Sequence, residues 1–242
     1  MLLIKLNATE STNTYLKKLA NEIDSENFTV VSALKQTHGK GQMGAVWQSE
    51  EGKNMIFSVL LKNSNTQTSS IFELNKIVSI SLIHFMKQFE IPDIAVKWPN
   101  DILAGTKKIA GVLIENVFKH DGTIDCIVGI GVNVNQSIFI GLPNATSVYC
   151  ETNKIHELDQ LILNFCELLK NNFIYYQNNR LEVDNQYHNY LFKKDKLAVF
   201  ENNERLKFMG IIQGVDEHGS LIVALENDEK KKFKLKEIKM VF

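Results

Sequence analysis

Cysteine is scarce in this chain, and the little there is forms no pattern. Cys126, Cys150 and Cys166 are three residues in 242, odd in number, widely spaced and without a CxxC pair. That argues against a disulfide framework and against a zinc cluster, and suits a reducing compartment. Long hydrophobic runs are missing too. No stretch of about 18 apolar residues is present to span a bilayer, and the apolar start at Met1-Leu2-Leu3-Ile4 is too short for a secretory signal. A cytoplasmic protein without a membrane partner is expected. Nor is there an excess of charge of one sign: 27 basic residues stand against 28 acidic ones, for a net charge of −1. Nothing in that balance draws the chain to nucleic acid, so any anion must be held by a local site. The six histidines form no HxxxH, HExxH or Cys/His cluster, and no metal-ligand set is assigned. Without a GxSxG turn or a motif-supported Cys/His pair, a hydrolase with a covalent nucleophile is unsupported. Internal repeats and low-complexity tracts are absent as well.

What is there suits a folded α+β protein. At 44% hydrophobic residues, the chain buries a sizeable core as one large domain, or as one plus a small appendage. Residues 11–23 place Tyr15, Leu16, Leu19, Ala20 and Ile23 on one helical face, with Ser11 or Thr12 available as N-cap. Residues 28–34 and 55–61 read as strands flanking a glycine-rich loop. Residues 69–89 carry a broad apolar band on a long helix ended by Ile91-Pro92. Three strand-like segments follow at 94–98, 108–118 and 123–133, the last two joined by a hairpin turn at His120-Asp121-Gly122, so an antiparallel sheet is expected. Residues 158–175 and 180–192 read as helices. After Lys193 the pattern changes to short β segments, which divides the chain into 1–192 and a small all-β module at 193–242. The lysine runs at 193–196 and 230–232 read as solvated turns.

Two stretches carry most of the chemical information. Lys97-Trp98-Pro99-Asn100-Asp101 sets a cation, an amide and an acid around a turn. Lys107-Lys108 then enters an apolar β-run whose Gly111 lets another group approach the backbone. Upstream, Gly39-Lys40-Gly41-Gln42-Met43-Gly44 fits the letters GxGxxG. It lacks the Gly-Lys-Ser/Thr of a P-loop and the helix that a dinucleotide fingerprint requires, because Trp47 and a strand follow. Its amides and Lys40 suit an anion, although the same letters fit a plain hairpin loop. Gly129-Ile130-Gly131-Val132-Asn133 is a strand ending in small residues and an amide suited to a base edge, or simply a glycine-relieved strand. Ser11-Thr12-Asn13 reads as a helix cap or as a ligand contact.

These blocks, with Glu10-Ser11-Thr12-Asn13 in front and Asn144-Ala145-Thr146-Ser147 behind, closely resemble those of biotin–protein ligases. The resemblance implies an α/β catalytic domain related to class II aminoacyl-tRNA synthetases, with a mixed or antiparallel sheet, flanking helices and a C-terminal SH3-like β module. It further implies an enzyme that uses ATP with Mg²⁺ to make biotinyl-5′-AMP, then transfers biotin to a lysine of a biotin carboxyl carrier protein. Ser11, Thr12, Asn13 and Gln36 would hold the ureido ring, with backbone from Gly39, Lys40 and Gly41, and with Gln42 and Gly111 nearby. Lys108 would neutralise the biotin carboxylate and the α-phosphate, Asp101 would orient that lysine or the metal-bound phosphate, and Lys40 would add charge. Trp47 and Asn133 are candidates for adenine contact, with Lys97, Asn100 and Gln42 toward the phosphates. Where family members often carry arginine, this chain has Lys40 and Gln42, and a neutral Gln42 cannot ion-pair with the adenylate. No DNA-binding block precedes the catalytic one, so a monofunctional type is expected, as a monomer or weak homodimer. The alternatives are a lipoate or octanoyl transfer enzyme of the same superfamily, or a non-enzymatic biotin-binding module.

Overall fold

The structure, a computed structural model, describes residues 1–62, 68–119 and 122–241. Strands and two helices occupy the first part: β1 (Leu3–Thr9), α1 (Thr12–Glu22), β2 (Val30–Gln36), β3 (Asn54–Leu61), α2 (Thr68–Lys87), β4 (Ile94–Lys97), β5 (Asp101–Ala104), β6 (Lys107–Phe118) and β7 (Ile124–Asn133). Helices α3 (Val148–Thr152), α4 (Leu158–Gln177) and α5 (Arg180–Asn189) follow. The chain ends in β8 (Leu197–Asn202), β9 (Lys207–Val215), β10 (Leu221–Leu225), β11 (Lys230–Phe233) and β12 (Ile238–Val241).

The first seven strands make one sheet in the order β1-β2-β3-β7-β6-β5-β4. Among the described residues only β1 and β2 of this sheet run parallel, so the sheet is mixed. The last five form a separate antiparallel sheet, β11-β10-β9-β8-β12. Expectation and structure therefore agree on architecture. Strands β6 and β7 pair as a hairpin, while His120 and Asp121 of the expected turn lie outside the described residues.

Three elements escape periodicity. Strand β1 is a half-exposed edge without clean alternation, β5 is four residues long and opens on an Asp that reads as turn, and α3 is little more than one turn. The buried face of α1 also differs from the expected one. Tyr15 and Ile23 are exposed, whereas Thr12, Asn13, Leu16 and Ala20 are buried. Thr12, Leu16 and Ala20 recur at i, i+4 and i+8, the stripe that meets a flat surface, so the polar end of the helix is turned onto the sheet. Ser11 takes the N-cap position but makes no side-chain cap bond.

Alternation along the central strands gives the sheet two different faces. Met55, Phe57 and Val59 of β3, with Val128, Ile130 and Val132 of β7, join the main core beneath α2 and α4. There Phe165 makes edge contacts with Phe57 at 5.7 Å and with Phe85 at 5.3 Å. In register on the opposite face stand Ile56, Ser58 and Leu60, then Gly131, Gly129 and Ile127, then Gly111, Leu113 and Glu115. Helix α1 covers one end of this face through a small core of Leu16, Ala20, Val31, Leu60, Val117 and Ile127. Over the glycine end only the first turn of α1 reaches, through Asn13 on Gly129, among the described residues.

The turn between β4 and β5 is tied down from three sides. Asn75 of α2 donates to Pro99 O at 2.8 Å, and Tyr187 of α5 donates to the same oxygen at 3.4 Å. Trp98 Nε1 donates to Gly219 O of the second sheet at 2.9 Å. A further joint is His188, whose Nε2 accepts from Val215 N at 2.9 Å. The second sheet is thereby docked beside the glycine end.

A Cβ at Gly129 would lie 2.2 Å from Asn13 Oδ1, and one at Gly131 would lie 2.4 Å from the Trp47 indole. Asn13 is buried and hydrogen-bonded, whereas Trp47 sits on a loop flanked by exposed residues. Gly129→Ala is expected to cost about 1–3 kcal/mol by overpacking, and Gly131→Ala clearly less. Urea unfolding of both variants checks this, and equal midpoints would contradict the placement of Asn13.

Candidate functional site

A cavity of about 250 Å³ opens on the glycine end of the sheet. Its inner wall is polar and comes from the start of α1 and from β2 and β3. Thr12 N–H donates to Gln36 Oε1 at 2.8 Å, and Thr12 Oγ1 lies 3.2 Å from the same oxygen. Ser58 Oγ lies 2.7 Å from Thr12 Oγ1 and 2.6 Å from Asn13 Oδ1. The Asn13 amide nitrogen donates to Glu115 Oε2 at 2.7 Å and to Leu113 O at 3.4 Å. Ser11 lines the same wall and is buried. Ser58 and Glu115 were not among the expected site residues. Their signal was a polar residue interrupting an apolar strand, which strand propensity alone does not weigh.

The charged part of the cavity is built by strand pairing. Lys97 and Asp101 face each other across the β4–β5 turn, and Asp101 pairs with Gly111 of β6. The register then shifts, so that Leu103 pairs with Lys108 and Ile109 becomes the extra residue. This bulge turns Lys108 onto the face of Asp101, whereas unbroken alternation would send it to the core side. Lys108 Nζ reaches Asp101 Oδ1 at 2.6 Å and lies 5.4 Å from the Trp47 ring centre. A Cβ at Gly111 would meet the Lys108 side chain at 3.1 Å, so this glycine leaves the lysine its path. Burial pulls the Lys97 amine below the usual lysine range, with neighbouring Lys108 adding to the effect and Asp101 opposing it. Asn100 lines the cavity while its Nδ2 donates to Val112 O at 2.6 Å.

The glycine loop forms the outer wall. Lys40, Gly41, Gln42 and Trp47 line the cavity, and Gly39 lies behind Gln36. Gly41 N donates to Ala45 O at 2.7 Å and Trp47 N to Gly39 O at 3.0 Å. These two amides close the loop on itself, in contrast to the expected amide cradle. The Trp47 indole stands over Gly131, and its buried Nε1 has no hydrogen-bond partner among the described residues.

A second cavity of about 330 Å³ lies on the far side of Trp47. Asn133 and Lys97 line it, not the first cavity, and it shares Trp47, Asp101 and Lys108 with the first. Its outer rim is the 139–145 segment. That segment is held by Lys108 N donating to Asn144 O at 2.7 Å and by Asn133 Nδ2 donating to Thr146 O at 2.9 Å. Two compartments thus meet at the Lys108–Asp101 pair. None of the cysteines lines either cavity, and burial pushes the Cys166 thiol up to about 12.

Comparison with known proteins places this geometry. The chain is 34% identical over 123 residues to the "Bifunctional ligase/repressor BirA" of Bacillus subtilis, a match covering 50% of this chain and 38% of that protein. It is 29% identical over 233 residues to the "Biotin--[acetyl-CoA-carboxylase] ligase" of Paracoccus denitrificans, covering 89% and 91% of the two chains. Among solved structures, the biotin protein ligase from Aquifex aeolicus in complex with biotin and ATP superposes with a TM-score of 0.82 at 27% identity, over 99% of this chain and 98% of that one. Residues 6–135, more than half of the chain, match the model of the Biotin/lipoate A/B protein ligase family, and the chain belongs to that family.

Proposed function

We propose that the protein is an ATP-dependent biotin–protein ligase. Biotin and ATP form biotinyl-5′-AMP and pyrophosphate, and the biotinyl group then passes to a lysine of a biotin carboxyl carrier protein of a biotin-dependent carboxylase. The observation that carries this reading is the Lys108–Asp101 pair at the junction of two cavities separated by Trp47. Support comes also from Aquifex aeolicus, whose superposable ligase is described with biotin and ATP bound.

In this reading the polar inner wall takes the ureido ring, and the cavity lined by Asn133 takes the adenine side. The two anions must meet before a mixed anhydride forms. Lys108, held by Asp101, offsets the charge where the biotin carboxylate oxygen attacks the α-phosphorus and pyrophosphate leaves. The carrier lysine amine later attacks the biotinyl carbonyl, and AMP leaves. Lys97 adds a second cation beside Asp101, and Lys40 a third on the loop. Mg²⁺ enters as part of the nucleotide substrate. Asp101 is the one carboxylate lining the main cavity among the described residues, and they contain no group of three or more His, Cys, Asp or Glu suited to a metal. Residues 1–192 carry both substrates in this account, and 193–242 form the module that braces Trp98. A lipoyl dithiolane ring has no N–H and would leave the polar wall unpaired, which favours biotin over lipoate. No helix among the described residues is long and apolar enough to cross a membrane.

Lys108→Ala is expected to lower biotin-dependent ATP–pyrophosphate exchange by about 10²–10³-fold, the scale of losing one preorganised charge-stabilising group. Its unfolding midpoint should stay close to that of the parent. A variant with near-normal exchange would remove Lys108 from this role, and lipoate-dependent exchange in place of biotin-dependent exchange would overturn the substrate.

Gln42 lines the main cavity with a neutral amide, which hydrogen-bonds to a phosphate but cannot ion-pair with it. Gln42→Arg should slow release of preformed biotinyl-adenylate and Gln42→Ala should speed it. Release rates measured without carrier protein check this, and three equal rates would place Gln42 away from the phosphate.

A further inference from the structure

The polar wall contains more order than its individual contacts show. Asn13 Nδ2 has two partners, Glu115 Oε2 and Leu113 O, and a carboxylate and a carbonyl can only accept. The amide therefore cannot flip, and its Oδ1 is held 2.6 Å from Ser58 Oγ. That oxygen also only accepts, so the single Ser58 proton must point at it. Ser58 Oγ stands 2.7 Å from Thr12 Oγ1. With the serine proton already used, the proton between the two hydroxyls must come from Thr12. Gln36 Oε1 accepts from Thr12 N–H at 2.8 Å and stands 3.2 Å from Thr12 Oγ1, a longer and weaker contact for the hydroxyl proton than the 2.7 Å to Ser58 Oγ. Gln36 Nε2 lies on the side of Gly39.

The outcome is a fixed pattern. Thr12 presents Oγ1 lone pairs to the cavity, beside the N–H donors of Gln36. Thr12, Asn13 and Ser58 are all nearly inaccessible to solvent, so water does not scramble the order and each mismatch is costly. We propose that Glu115 is a positioning residue for ligand specificity. Through Asn13 and Ser58 it sets the Thr12 hydroxyl as an acceptor, so that the cavity selects a ligand with an N–H beside a C=O, as in a cyclic urea. Glu115 touches no ligand itself. Its position is set by the sheet, because it follows Leu113 by two residues on β6 and so shares the face on which Asn13 lies. The proposal rests on the biotin reading above.

The test compares biotin with its two cyclic-carbamate analogues, in which one or the other ring N–H is replaced by oxygen, in ATP–pyrophosphate exchange. Wild type should prefer biotin strongly over the analogue that places the ring oxygen at Thr12. In Glu115→Ala the Thr12 proton is released to turn toward the cavity. The ratio of KM values, analogue over biotin, should then fall by about tenfold or more, with kcat for biotin nearly unchanged. Glu115→Gln keeps a carbonyl acceptor for Asn13 and should restore the wild-type ratio. Ser58→Ala, which breaks the relay one step nearer the ligand, should lower the ratio as Glu115→Ala does. It provides the same reading if the alanine variant at Glu115 fails to fold. An unchanged KM ratio in these variants, a loss confined to kcat, or a Gln variant that behaves like Ala would overturn this inference alone. Failure of the wild type to show any biotin-dependent exchange would instead overturn the function on which it rests.

Discussion

Three missing side chains govern this site. Gly111 on β6, with Gly129 and Gly131 on β7, lie together on one face of the sheet, and each gives its room to a different group. Asn13 lies on Gly129, Trp47 on Gly131, and Lys108 passes over Gly111. A methyl at Gly129 or Gly131 would lift the group above it off the backbone by about an ångström, and one at Gly111 would push the end of Lys108 by a few tenths, enough to disturb hydrogen bonds whose useful range is itself only a few tenths of an ångström. On the other face the same strands carry Val128, Ile130 and Val132 against α2 and α4. One pair of strands thus serves as core on one side and as the floor of a ligand cavity on the other.

Rigidity reaches the charged centre through the Trp98-Pro99 turn. Its carbonyl at Pro99 is held from α2 and α5, and its indole from Gly219, so the first sheet, the helical layer and the second sheet converge on the residues between Lys97 and Asp101. The bulge at Ile109 completes the arrangement by turning Lys108 to the cavity while Ile109 stays buried. Binding groups built on paired strands in this way are positioned more closely than groups on loops. The loop that carries Lys40, Gln42 and Trp47 is the more exposed wall, with Met43 and Val46 within it open to solvent.

Much of the site was legible because its residues come in short local blocks. Thr12 with Asn13, Lys97 with Asp101, and Lys108 with Gly111 each sit within a few positions of one another, and strand and helix spacing keeps such neighbours together. What was not legible depends on partners far apart in sequence. Ser58 is 46 residues from Thr12, and Glu115 is 102 residues from Asn13. Ser58 stands in no motif, and Glu115, at the end of the block that begins at Lys97, has nothing beside it in sequence that points to Asn13. The burial of Thr12 and Asn13 in place of Tyr15 and Ile23 depends on how α1 leans on β3 and β7, which helical periodicity does not encode. Strand β5 was hidden because a four-residue strand beginning with Asp looks like a turn until its neighbours on both sides are known.

By itself the sequence determined the class of fold, the order of the polar blocks and the chemical groups available to a ligand, because these follow from residue types and local periods. Tertiary structure alone decided which groups meet. It divided the space at Trp47 into two cavities and assigned Asn133 and Lys97 to the second. It closed the amides of Gly41 and Trp47 within their own loop, and it aimed Lys108 through a bulge. These outcomes depend on register and on contacts between distant strands, and a one-residue change of register reverses the face on which a side chain lies.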